Sequence, residues 1–236
     1  LSFDVPGQAS PVEVELSVGV EELELRDQEG LYAHFEVGVS SLPEAELPPT
    51  APNTSAVTGV PAHLDTPTPW PATPGSEAHV AIPLSIFNAL LYQVWRQGSL
   101  SLELSALLPE AISNLTGITR LSLEALRPPL LINAPPGSPT PLRLSLEALI
   151  LKIAKEPNVE PDRYALSITV PVGLEVTQAM NGQRGALTLA FPEGAQIRAS
   201  FVSQGGAQPV IQVSSALQLL NTFVWEKLQA LLGEGF

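Results

Sequence analysis

Residues 80–104 read VAIPLSIFNALLYQVWRQGSLSLEL, and three textures follow one another within them. His79 to Ile82 is a short apolar run that predicts a strand ending at Pro83. Ile86, Phe87, Leu90, Leu91, Val94 and Trp95 then recur at three- and four-residue spacing, the period of a helix with one apolar face. Proline is favoured in a first helical turn, and Gly98 stands where the helix should stop. Beyond it Leu100, Leu102 and Leu104 alternate with serine and glutamate, which predicts a second strand. A helix with so wide an apolar arc, set between strands, has to bury that arc against a sheet.

Working outward toward the N-terminus, Val12, Val14, Leu16, Val18 and Val20 alternate with Glu13, Glu15, Ser17 and Gly19. Period-two alternation predicts a strand with one buried and one wet face. Asp27 to Gly30 turns the chain, and Leu31, Ala33, Phe35, Val37 and Val39 repeat the pattern, so the two strands form a hairpin. From Pro43 to Gly75 prolines punctuate a polar, threonine-rich stretch that sustains neither a ladder nor a helix. It reads as a long surface loop.

Toward the C-terminus, residues 105–128 are weakly patterned and read as short helical turns closed by Pro128 and Pro129. Leu130 to Ala134 is extended. In 141–154, Leu142, Leu144 and Leu146 hold one phase while Leu149, Leu151 and Ile153 hold the other, which predicts a bulge near Glu147 and Ala148. Leu166, Ile168, Val170, Val172, Leu174 and Val176 form the next long strand. Leu187, Leu189 and Phe191 follow, then Ile197, Ala199 and Phe201, with glycine-bearing connections at 181–185 and 191–195 of the kind hairpins use. A second helix is predicted over 213–232, its stripe made by Val213, Leu217, Leu220, Phe223, Val224, Leu228 and Leu231. The sum is an α+β fold: long antiparallel strands in a curved sheet with two apolar helices packed on it.

Composition narrows the function. The chain carries 24 acidic and 11 basic side chains, for a net charge of −13. Phosphate neutralisation by Lys and Arg, on which nucleic-acid affinity rests, is therefore not supplied, nor is a basic patch for anionic lipid head groups. With no cysteine, disulfides, thiol catalysis and iron–sulfur ligation are excluded. No apolar run is long enough to span a bilayer as a helix. Leu1 opens the chain without a charged or apolar leader, which reads as a processed product or a domain cut from something longer.

The order of elements also carries a resemblance. The hairpin with Gly30-Leu31-Tyr32 after its turn, the proline-rich loop, and residues 80–104 with Ser85, Phe87, Asn88, Ala89, Gln97, Gly98 and Leu100 in frame resemble the C-terminal barrel of bactericidal/permeability-increasing and lipopolysaccharide-binding proteins. Downstream, PPLLINAPPGSPTPLRLSLEALILKI (128–153) is similar to that family's proline-bounded strand, turn and long strand. The resemblance, to the tubular lipid-binding superfamily, spans roughly residues 11–232 through short motifs. It implies a strongly twisted antiparallel sheet rolled around two apolar helices, a single barrel over 1–236 holding lipid or another elongated apolar ligand without catalysis. Two departures stand out: the length suits one barrel where relatives carry two, and the chain is acidic where endotoxin binders are basic.

Under that implication the cavity is lined by Phe87, Leu90, Leu91 and Val94 of the first helix, Leu100 and Leu102 after it, and Val170, Val172, Leu189 and Phe191 of the long strands. Leu217, Leu220, Phe223, Val224, Leu228 and Leu231 add the terminal helix. By composition alone all of these are ordinary core residues. The resemblance further implies a secreted or periplasmic setting, transient membrane contact, and end-to-end pairing with a second copy or a sister barrel. That contact would be apolar and set away from the Glu-rich strand. The competing reading is an interaction module with a filled core, using the proline-rich loop as partner surface. Catalysis and metal binding find little support. His34, His63 and His79 form no helical pair, no Gly-x-Ser-x-Gly elbow occurs, and the glutamates of 13–24 are the wet side of a strand. No cofactor motif is present, neither a dinucleotide glycine set nor a P-loop.

Overall fold

A computed structural model describes residues 2–3, 12–26, 30–41, 83–105, 117–155, 160–177, 186–192 and 198–203. Their elements are β1 (Ser2–Phe3), β2 (Val12–Arg26), β3 (Gly30–Ser41), α1 (Leu84–Arg96), β4 (Leu102–Glu103), β5 (Arg120–Ala125), β6 (Leu130–Asn133), β7 (Leu142–Ala154), β8 (Asp162–Thr177), β9 (Ala186–Ala190) and β10 (Arg198–Ser203). The class is α+β. The strand predicted at 79–82, the proline-rich stretch and the helix predicted at 213–232 lie outside the described residues.

The larger sheet is antiparallel throughout and has seven strands. Its spine is β7 beside β8. Leu142, Leu144 and Leu146 pair with Val172, Val170 and Ile168, and Leu149 and Leu151 pair with Leu166 and Tyr164. Between Leu146 and Leu149 the register shifts, leaving Glu147 and Ala148 opposite Ser167 alone. This is the bulge read from the sequence. Because side chains alternate, one extra residue restores Leu149, Leu151 and Ile153 to the face of Leu142, Leu144 and Leu146. Leu144, Leu151, Ile153, Tyr164, Ile168, Val170 and Val172 are all fully buried on that face.

Each long strand is flanked by a return strand broken in two. β5 pairs with the second half of β7 and β6 with the first half, and Leu126 to Pro129 crosses between them beside the bulge. There the Leu126 N–H donates to the Ala148 carbonyl at 3.0 Å. Likewise β9 pairs with residues 173–177 of β8 and β10 with residues 164–169. The expectation of a hairpin turn at 191–195 is corrected: β9 and β10 pair with separate stretches of β8, whose 16 residues seat both, and not with each other. Pro171 falls between the stretches of β8 that pair with β9 and β10, opposite Arg143 of β7.

A second correction concerns 105–128. Arg120–Ala125 is a strand, with Leu121, Leu123 and Ala125 alternating inward, not a helical turn. By contrast, β4 is only two residues long, although Leu100, Leu102 and Leu104 are all buried as the alternation predicts.

The smaller sheet is β1-β2-β3. Val20 pairs with Phe35 but Glu22 with His34, so Glu21 is an extra residue in β2. It rephases the strand, setting Leu23 and Leu25 on the face of Val14, Leu16, Val18 and Val20. The expectation that this row is buried fails where side chains are described: Val18, Val20 and Leu23 are 64%, 59% and 64% exposed. Alternation tells which residues share a face; it does not supply an element to cover it.

Ala148 has φ 54°, a left-handed conformation that costs an L-residue ~1–2 kcal/mol. Ala148→Gly should raise the urea midpoint by an amount equivalent to ~0.5–1 kcal/mol, while Ala148→Val lowers it. Deleting Ala148 leaves an unbroken alternation with Leu149, Leu151 and Ile153 still inward, so cooperative unfolding should persist.

Candidate functional site

α1 is held at both ends by its own sequence. Pro83, at φ −69° and ψ 146°, is its N-cap. At the other end the Gly98 N–H donates to the Trp95 carbonyl (2.9 Å) and the Ser99 N–H to the Val94 carbonyl (3.3 Å), with Gly98 at φ 77°. That pair of bonds around a left-handed glycine is a Schellman motif, and it turns the chain sharply into Leu100.

Two side chains of α1 fix it on the larger sheet. Asn88 donates from Nδ2 to the Leu131 carbonyl (3.1 Å) and accepts the Leu131 N–H at Oδ1 (2.6 Å). The amide thereby meets Leu131 of β6 much as a neighbouring strand would. Trp95 donates from Nε1 to the Ala125 carbonyl at 2.7 Å, across a fully buried contact. Together the two contacts seat the helix over the crossing between β5 and β6. Neither is legible in periodicity, since both partners are backbone groups distant in sequence.

The predicted lining residues separate into three sets. Phe87, Leu91, Leu100, Leu102, Val170, Val172 and Leu189 belong to one buried cluster with the inner rows of β5, β7 and β8, and half-buried Phe191 packs against it. Leu90 and Val94 are buried on the helix but stand outside that cluster. Leu217, Leu220, Phe223, Val224, Leu228 and Leu231 lie outside the described residues. Sequence reasoning passed over Tyr164, Leu121 and Leu123, all fully buried in the same cluster. The alternation of β5 and β8 carried the signal for them.

The inner apolar row is long. The 13 residues of β7 and 16 of β8 extend roughly 45–55 Å, whereas the 13 residues of α1 extend only ~20 Å. The helix also touches both sheets, lying beside β6 of the larger one and β2 and β3 of the smaller. At 100° per residue, Gln93 falls with Leu90 and Gln97 on the flank away from Asn88 and Trp95.

That flank is where the interior turns polar. Gln93, Gln97 and Ser99 are buried in or just beyond the last turn of α1. Gln93 Oε1 and Ser99 Oγ have no hydrogen-bond partner. A buried polar atom left unmatched costs ~1–3 kcal/mol, so two of them a few residues apart require a reason. No group of His, Asp and Glu among the described residues is placed to hold a metal ion. No described helix is long and apolar enough to cross a membrane. Protein-family models, curated proteins and solved structures contain no match to the chain.

Replacing Trp95 by Phe strands the Ala125 carbonyl, and replacing Asn88 by Ala strands both backbone groups of Leu131. We expect destabilisation of ~1–3 kcal/mol for Trp95→Phe and more for Asn88→Ala, read from urea midpoints.

Proposed function

We propose that the chain binds, and carries between surfaces, an elongated amphiphile with a long apolar body and a small polar end. In this reading the sheet rolls as a single tubular barrel around α1 and the helix expected at 213–232. The apolar body then lies along the inner row of β7 and β8. The observation that carries the proposal is the pair of buried, unpartnered atoms, Gln93 Oε1 and Ser99 Oγ, at one end of α1. A core serving only stability gains nothing from them. A hydroxyl, amide or ester of a bound lipid gives both a partner.

The energetics require no reacting group. Each methylene moved from water into an apolar site gains ~0.8 kcal/mol, so a dozen gain roughly 10 kcal/mol against association costs of ~4–15 kcal/mol. Affinity then depends on chain length, and no catalytic step is part of the function. A secreted or periplasmic setting with transient membrane contact fits such a carrier. So does end-to-end pairing with a second barrel, for which light scattering at twice the 25.0 kDa chain mass is the readout.

Organic extraction and native mass spectrometry of the purified chain should release a lipid-sized species. Fluorescent acyl probes should bind ~4-fold tighter per added methylene until the apolar row is filled. Gln93→Leu and Ser99→Ala separate the two readings of the interior. Both should raise the stability of delipidated protein, because each removes an unmatched polar atom, and both should weaken probe binding. Higher stability with unchanged probe binding and no extracted ligand would establish a filled core and end the proposal.

A further inference from the structure

The most exposed large apolar side chains described, Val18, Val20 and Leu23, all lie on β2. Ser17, Val18, Gly19 and Val20 are exposed in succession, so the strand is open on both faces, and Leu23 is exposed beyond the bulge. A Cβ built on Gly19 meets nothing within 4 Å. Among the described residues β2 pairs with β3 along one edge, and with β1 on the other edge only at Val12 and Glu13. A strand edge that no described residue pairs with beyond Glu13, beside exposed apolar side chains, is a template for strand addition.

The register decides what the template selects. The extra residue at Glu21 keeps the apolar row in phase over the whole strand. Val14, Leu16, Val18, Val20, Leu23 and Leu25 occupy one face. By register the other face holds Glu13, Glu15, Glu22 and Glu24 with Ser17 and Gly19 between them and Arg26 at the end, beside Glu36 and His34 of β3. A strand laid against this edge must alternate apolar residues with residues that tolerate a row of carboxylates. A second copy of β2 fails the test, since its own glutamates would fall beside these, and like charges across a pair are destabilising. A lipid surface would use only the apolar face, and an anionic one is opposed by the net charge of −13.

We propose that the β2 edge captures a cationic amphipathic strand of a partner protein, one alternating aliphatic residues with Lys or Arg. The aliphatic side chains extend the Val18–Val20–Leu23 row, and the basic ones pair with the glutamate row on the opposite face. The acidic chain as a whole steers such a partner toward it. This surface is independent of the interior site, so either reading stands if the other fails.

Fluorescence anisotropy with short labelled peptides on the full chain tests this. A Lys–Val alternating peptide should bind at least about tenfold tighter than Lys–Ser or Glu–Val peptides. Its binding should protect β2 amides from hydrogen exchange. Gly19→Lys, which enters open space, and Glu22→Lys should each weaken the Lys–Val peptide and strengthen the Glu–Val one, with far-UV circular dichroism unchanged. That reversal of preference is a result a merely structural role does not produce. Equal binding of Lys–Val and Lys–Ser peptides overturns the proposal, because charge alone then suffices. Self-association broken by Val18→Lys overturns it in favour of a second copy. Displacement of the peptide by phosphatidylcholine vesicles overturns it in favour of a lipid surface.

Discussion

A strand with two-residue periodicity cannot carry leucines in both phases on one face unless one residue is taken out of register. In β7 that residue lies in the Glu147–Ala148 pair, and everything on the inner face of the larger sheet depends on it. Without the shift, Leu142 to Leu146 and Leu149 to Ile153 would point to opposite sides, and neither α1 nor the inner row of β8 would meet a continuous apolar surface. The bulge also sets where the flanking return strand breaks. β5 ends opposite Leu149, β6 begins opposite Ser145, and the segment between them passes the bulge. α1 then docks where this broken strand leaves backbone groups to bind, through Asn88 at Leu131 and Trp95 at Ala125.

Much of this is local and was legible in the residues. The bulge showed as a change of phase, the helix stop as Gly98, and the long strands as alternation. β5 carried the same signal in Leu121, Leu123 and Ala125, but a run of six residues beside prolines reads weakly. What periodicity does not encode is partnership. β9 and β10 were recognisable as strands, yet their pairing with β8 and not with each other depends on the length of β8, not on the turn residues between them. The face of Val18 and Val20 was correctly grouped and wrongly buried, because alternation assigns a residue to a face but not a cover to that face.

The polar groups of α1 show the same division. Asn88, Gln93 and Ser99 look alike in a hydropathy pattern, but their environments differ completely. Asn88 satisfies two backbone groups of a strand edge, whereas Gln93 Oε1 and Ser99 Oγ are buried and unmatched. Only a tertiary neighbourhood distinguishes a polar residue that locks a helix in place from one that awaits a ligand atom. The predicted lining residues were identifiable as core because apolarity is a property of the residue. Gln93 and Ser99 were not singled out because lacking a partner is a property of the surroundings.

The position of α1 between the two sheets has a consequence for the order in which the chain assembles. From β5 to β10 each pairing joins elements close together in sequence, so the larger sheet can form with small loop-closure losses. Contact between α1 and the β2–β3 hairpin instead spans the proline-rich stretch that separates Ser41 from Pro83. Its closure comes at higher entropic cost and is rewarded only once α1 is already seated by Asn88 and Trp95. Among the described residues the hairpin meets the rest of the fold chiefly through α1, so its anchorage is only as firm as the seat that Asn88 and Trp95 give the helix.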